Sequence, residues 1–106
     1  MQHSYWKQHY VLETDADEIE SHLQRTTFLS GGKQFELIYF EAERNAPTIL
    51  ISQGSGGHAY VFAELGYHMH KRGYTVCIMP KHGGVTIREL MHRHKDALEH
   101  IATQLL

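Results

Sequence analysis

The stretch Thr48-Ile49-Leu50-Ile51-Ser52-Gln53-Gly54-Ser55-Gly56-Gly57-His58 decides how this chain folds. Its first half is a short, continuous apolar run without polar alternation, the pattern of a strand covered on both faces in a parallel sheet. Its second half is a glycine-rich turn. Beyond it, Val61, Phe62, Leu65 and Met69 recur on one helical face, and Lys71-Arg72-Gly73 supplies a cationic last turn with a glycine stop. Tyr74-Thr75-Val76-Cys77-Ile78-Met79 then reads as a second buried strand. A strand, a helix and a strand in this order close a right-handed crossover, so the two strands are expected to run parallel.

Upstream, Thr26-Thr27-Phe28-Leu29 and Phe35-Glu36-Leu37-Ile38-Tyr39-Phe40 are β-branched and aromatic runs separated by Gly31-Gly32. Two adjacent glycines provide the positive φ values of a tight hairpin. Glu41 to Pro47 is a polar connection, and residues 1–25 read as a polar N-terminal arm carrying the acidic run Glu13, Asp15, Asp17, Glu18 and Glu20, taken as a solvated face. Downstream, Pro80-Lys81-His82-Gly83-Gly84 turns the chain. Thr86 with Glu89 three residues on is a capping box, and Ile87, Leu90, Met91, His94, Leu98, Ile101 and Leu105 hold helical spacing behind it.

At 106 residues, with 42% apolar and 21% charged side chains, the chain has the size and balance of one globular domain. Ten Lys and Arg against twelve Asp and Glu leave a formal charge of −2, which argues against a nucleic-acid partner or an anionic membrane surface. Ten histidines would carry that charge to +8 if all were protonated, so solubility is expected to depend on pH. Cys77 is the single cysteine; an intramolecular disulfide is excluded, and a reducing, cytoplasmic location is expected. Met1-Gln2-His3-Ser4-Tyr5-Trp6-Lys7 lacks the order of a signal peptide, and no apolar run reaches membrane-spanning length.

A glycine turn between a buried strand and a helix aims free backbone N–H groups at one point outside the sheet. Such a point holds negative charge, either the oxyanion of acyl transfer or a nucleotide phosphate. For the phosphate, Gly54-x-Gly56-x-x-Ala59 has the dinucleotide spacing, but Ile78-Met79-Pro80-Lys81 offers no acid for the ribose hydroxyls. For the oxyanion, Gly54, Ser55, Gly56 and Gly57 supply the donors and the room.

Taken together, the hairpin, the apolar strand, Gly54-x-Gly56-Gly57, the helix, Gly73-Tyr74-x-Val76 and Lys81-His82-Gly83-Gly84 resemble the N-terminal part of the alpha/beta-hydrolase family over residues 26–106. The chain is most similar there to serine esterases, lipases and acylglycerol hydrolases, whose loop commonly reads His-Gly-x-Gly; Gln53 stands in place of that His. The resemblance implies an α/β fold, a truncated three-layer alpha/beta-hydrolase-type sandwich in which an N-terminal β-hairpin is followed by parallel βαβα. It also implies a small acyl-ester substrate, no cofactor and no metal. The Ser55 backbone N–H becomes an oxyanion donor, with Gly54, Gly56 and Gly57 beside it and His58, Tyr60 and His82 against the substrate. The family's Gly-x-Ser-x-Gly nucleophile turn is absent from these 106 residues. The expectation is therefore an N-terminal hydrolase fragment, inactive by itself and self-associating through an exposed sheet edge. A phosphate-binding module and a non-catalytic interaction domain derived from a hydrolase are the alternatives.

Ser55 as a nucleophile is disfavoured, because Gln53 occupies the position where a nucleophile turn needs a small residue. His68-Met69-His70 and His92-Arg93-His94 place their imidazoles about 200° apart on a helix, so neither pair shares a metal ion. His94, on the apolar face, reads as a core or interface histidine satisfied by a neighbour. Cys77 reads as a small buried hydrophobe.

Overall fold

The computed structural model describes Trp6 and residues 12–52, 59–79 and 84–105. The elements run α1 (Ala16–His22), β1 (Gln24–Ser30), β2 (Lys33–Phe40), β3 (Thr48–Ile51), a 3₁₀ turn (Ala59–Phe62), α2 (Ala63–Lys71), β4 (Thr75–Ile78) and α3 (Ile87–His100), which continues as a π turn over Ile101–Leu105.

β1 and β2 form the expected hairpin. Ser30 pairs with Lys33 across Gly31 and Gly32, whose φ values of 57° and 79° are those of a two-residue type I′ turn. β3 and β4 are parallel from Thr48 opposite Thr75 to Ile51 opposite Ile78, as the crossover requires. β4 also pairs antiparallel with β2, which makes the sheet mixed, in the order β1-β2-β4-β3. β4 is therefore central and buried throughout, whereas β3 lies at the edge with Ile49, Leu50 and Ile51 half-covered. Among the described residues β3 pairs with β4 alone.

Strand alternation divides the core. Ile38, Phe40, Val76 and Ile78 face one side, where they pack with Trp6, Ile19, Leu23, Tyr60, Ala63 and Tyr67. Leu37, Tyr39, Cys77 and Met79 face the other, with Phe28, Ala97 and Ile101. Period-two side chains on the strands thus meet α1 and α2 on one face and α3 on the other. Helix α2 comes in close at Gly66, where an added Cβ would stand 3.1 Å from Phe40 and 3.2 Å from Ile78. It ends in a Schellman motif at the predicted glycine stop: Tyr74 N–H donates to the Met69 carbonyl, Gly73 N–H donates to His70, and Gly73 has a φ of 101°.

Three departures from the sequence reading have physical causes. The segment after the glycine loop begins as a 3₁₀ turn and becomes α-helical only at Ala63. The acidic run is not simply solvated: Glu18 accepts from the Tyr67 hydroxyl, and Glu20 accepts from Trp6 Nε1 at 3.0 Å and Arg25 at 2.8 Å. On α3 the N-cap half of the capping box forms, with Glu89 N–H donating to Thr86 Oγ1 at 3.1 Å, while the Glu89 carboxylate accepts from the Thr86 hydroxyl at 3.2 Å; the apolar stripe behind it is only partly covered. Ala97 and Ile101 are buried, while Ile87 is 87% exposed and Met91 and Leu98 about half.

Candidate active site

The parallel pair defines where a ligand would approach, since groups at the carboxyl ends of parallel strands open onto a crevice beyond the sheet. β3 ends there at Ile51, whose carbonyl accepts from Met79 N–H at 2.9 Å, so the ladder holds the backbone up to that residue. Ser52 follows, exposed. Of the residues expected to carry the site, Gly54, Ser55, Gly56, Gly57, His58 and His82 lie outside the described residues. Tyr60 is described.

Tyr60 stands in the 3₁₀ turn directly after the glycine loop and is 6% exposed. Its ring stacks on Trp6 with centroids 5.7 Å apart. Its hydroxyl accepts from Arg25 Nε at 2.9 Å and donates to Glu36 at 3.3 Å. Burial raises the Tyr60 hydroxyl above its ordinary pKa, a direction the Arg25 hydrogen bond opposes without reversing. For Arg25, burial alone would lower the pKa, but hydrogen bonds to Tyr60 and Glu20 outweigh it and keep the guanidinium charged. Trp6, Glu20, Arg25, Tyr60 and Glu36 thus tie the segment leaving the loop to the N-terminal region and the hairpin.

The structure also brings together two residues that sequence reasoning did not pair. His94, near the middle of α3, lies with Nε2 2.7 Å from Ser52 Oγ and Nδ1 2.8 Å from the Leu90 carbonyl oxygen. A carbonyl only accepts, so Nδ1 carries a proton, and a ring with that single proton offers Nε2 as acceptor to the serine hydroxyl. The available signals were indirect. Ser52 follows the decisive strand and His94 interrupts an apolar stripe, but 42 positions separate them.

Burial pushes the Cys77 thiol up to about 12, so it is an inert core residue and not a nucleophile. Among the described residues no group of three His, Cys, Asp or Glu side chains is arranged to hold a metal ion. Likewise, none of their helices is long and apolar enough to cross a membrane.

No family model matches the chain, and no curated protein matches it in sequence. In fold it is similar to a solved structure, a probable hydrolytic enzyme from Pseudomonas aeruginosa PAO1. The TM-score is 0.54 at 19% sequence identity over 76% of this chain. The matched region spans 30% of that enzyme's length. The likeness is one of fold alone, a mixed α/β arrangement.

Proposed function

We propose that this chain forms the N-terminal part of an alpha/beta-hydrolase domain that cleaves carboxylic esters or related acyl bonds through a serine acyl-enzyme. In this reading the Ser55 backbone N–H helps hold the oxyanion, Gly54, Gly56 and Gly57 keep the approach open, and His58, Tyr60 and His82 border the substrate. The observation that carries it is the parallel β3/β4 pair, whose strand β3 is followed in sequence by the glycine-rich residues 54–57. The edge position of β3 supports it too, because the family places there the strand that leads to the nucleophile turn. The fold neighbour is compatible with the same reading. A cytoplasmic location and self-association through the β3 edge belong to the proposal; sedimentation at rising concentration tests the latter.

The decisive experiment concerns a backbone donor, which is removed by proline and not by alanine. In the protein as isolated from its cells, Ser55→Pro is expected to lower kcat on short-chain aryl esters by about 10²–10³ with little change in KM, as loss of one oxyanion donor does. Ser55→Ala should leave the rate close to that of the parent. Equal damage from both substitutions, or none from proline, would overturn the assignment.

A further inference from the structure

We infer that Ser52 and His94 form a nucleophile–base pair able to take an acyl group from small carboxylic esters. The inference goes beyond the hydrolase proposal and needs neither the glycine loop nor a serine elsewhere.

Three observations carry it. The Ser52 hydroxyl lies 2.7 Å from His94 Nε2, within the reach required between a nucleophile and its general base. The base is oriented by a third group, since the Leu90 carbonyl accepts from Nδ1 at 2.8 Å and leaves Nε2 as the basic nitrogen. Both partners are carried by regular elements: Ser52 follows a strand residue whose carbonyl is held by Met79 N–H at 2.9 Å, and His94 lies within the 14-residue helix α3. Ser52 is exposed, so an ester reaches it from solvent.

The step balances within the pair and the ester. His94 Nε2 takes the hydroxyl proton as Ser52 Oγ forms a bond to the carbonyl carbon. The bond from that carbon to the leaving oxygen then breaks, and the departing alkoxide or phenoxide takes the proton from Nε2. The products are an alcohol and acyl-Ser52. Water returns the serine by the same sequence, releasing the carboxylic acid. A serine hydroxyl held by a histidine for structural reasons alone would share the hydrogen bond but transfer no acyl group.

The test is acetylation of the full 106-residue chain by p-nitrophenyl acetate, located by peptide mapping. Phenol release is not the readout, because ten histidines decompose activated esters by themselves. The expected result is up to one acetyl ester per chain, on Ser52, trapped by acid quenching before water returns the serine. Ser52→Ala should abolish it, and His94→Gln should slow it about 10²–10⁴-fold. Thermal melts show whether each variant is folded. Should His94→Gln not fold, Ser52→Cys keeps the question open to measurement: the introduced thiol should react with iodoacetamide at least about tenfold faster than free cysteine at neutral pH. Acetyl groups only on lysines or other serines, labelling of Ser52 at an undiminished rate in folded His94→Gln, or an introduced thiol no faster than free cysteine would overturn the pair. None of these outcomes depends on the Ser55→Pro result, so this inference and the hydrolase proposal fail separately.

Discussion

The two faces of the sheet are closed in different ways. On the face covered by α1 and α2, aromatic and aliphatic side chains are buried almost completely, with Trp6, Ile19, Phe40 and Ile78 at 1% exposure or less, and Gly66 lets the helix backbone approach the strands. On the face covered by α3, Ala97 and Ile101 are the helix residues buried, and polar contacts join the helix to the sheet: Ser30 to Asp96 at 2.6 Å, Thr26 to His100 at 3.0 Å and Ser52 to His94. Arg93 lies 4.1 Å above the Phe35 ring. Apolar burial holds the first face and contributes in proportion to area, whereas a hydrogen bond nets only about 1 kcal/mol but fixes direction. The strand residues are buried alike on both faces, with Leu37, Cys77 and Met79 at 0% exposure beneath α3, so the difference lies in how much of each covering helix is buried.

The largest test of this difference is a pair of truncations. Phe40→Ala should cost about 3–5 kcal/mol in urea unfolding, against about 0.5 kcal/mol or less for Leu98→Ala on the other face. Equal costs would remove the distinction. Gly66→Val comes next: a branched side chain pressed against Phe40 and Ile78 should destabilise by about 1–3 kcal/mol. A neutral result would mean that α2 shifts readily on the sheet.

A pH test sharpens the picture of the first face. Burial, reinforced by His22 and Lys71, lowers the pKa of His70 from its ordinary 6.5, and among the described residues its buried Nδ1 has no hydrogen-bond partner. Below about pH 6.5 the unfolded chain takes up this proton while the folded chain resists it. Stability should therefore fall as pH drops through that value. The difference between melting midpoints at about pH 7.5 and about pH 5.5 should shrink in His70→Asn; an undiminished difference would assign the acid sensitivity to other groups. The smallest effect is expected from Ile87→Lys, within about 0.5 kcal/mol, because Ile87 is 87% exposed. A larger loss would reveal a covering contact in solution.

The hairpin, the parallel pair, the glycine stop at Gly73 and the N-cap at Thr86 were legible because each is written in neighbouring residues. The core contribution of the N-terminal region was not. Ile19 is fully buried, yet in sequence it is one apolar residue between Glu18 and Glu20, and those carboxylates reach Tyr67 and Arg25 only after folding. At the candidate site, the Ser52–His94 contact was not legible, because 42 positions separate the two residues.

Local periodicity and turn chemistry, acting over a few residues, determined by themselves the β1–β2 hairpin, the helix behind Thr86 and that β3 and β4 run parallel. Which face each helix covers, how far the α3 stripe stays open, and that a histidine meets a serine 42 positions away were decided only by the tertiary structure. Those outcomes depend on strand register and helix docking angle, which arise from the summed packing of the whole chain and from no single segment.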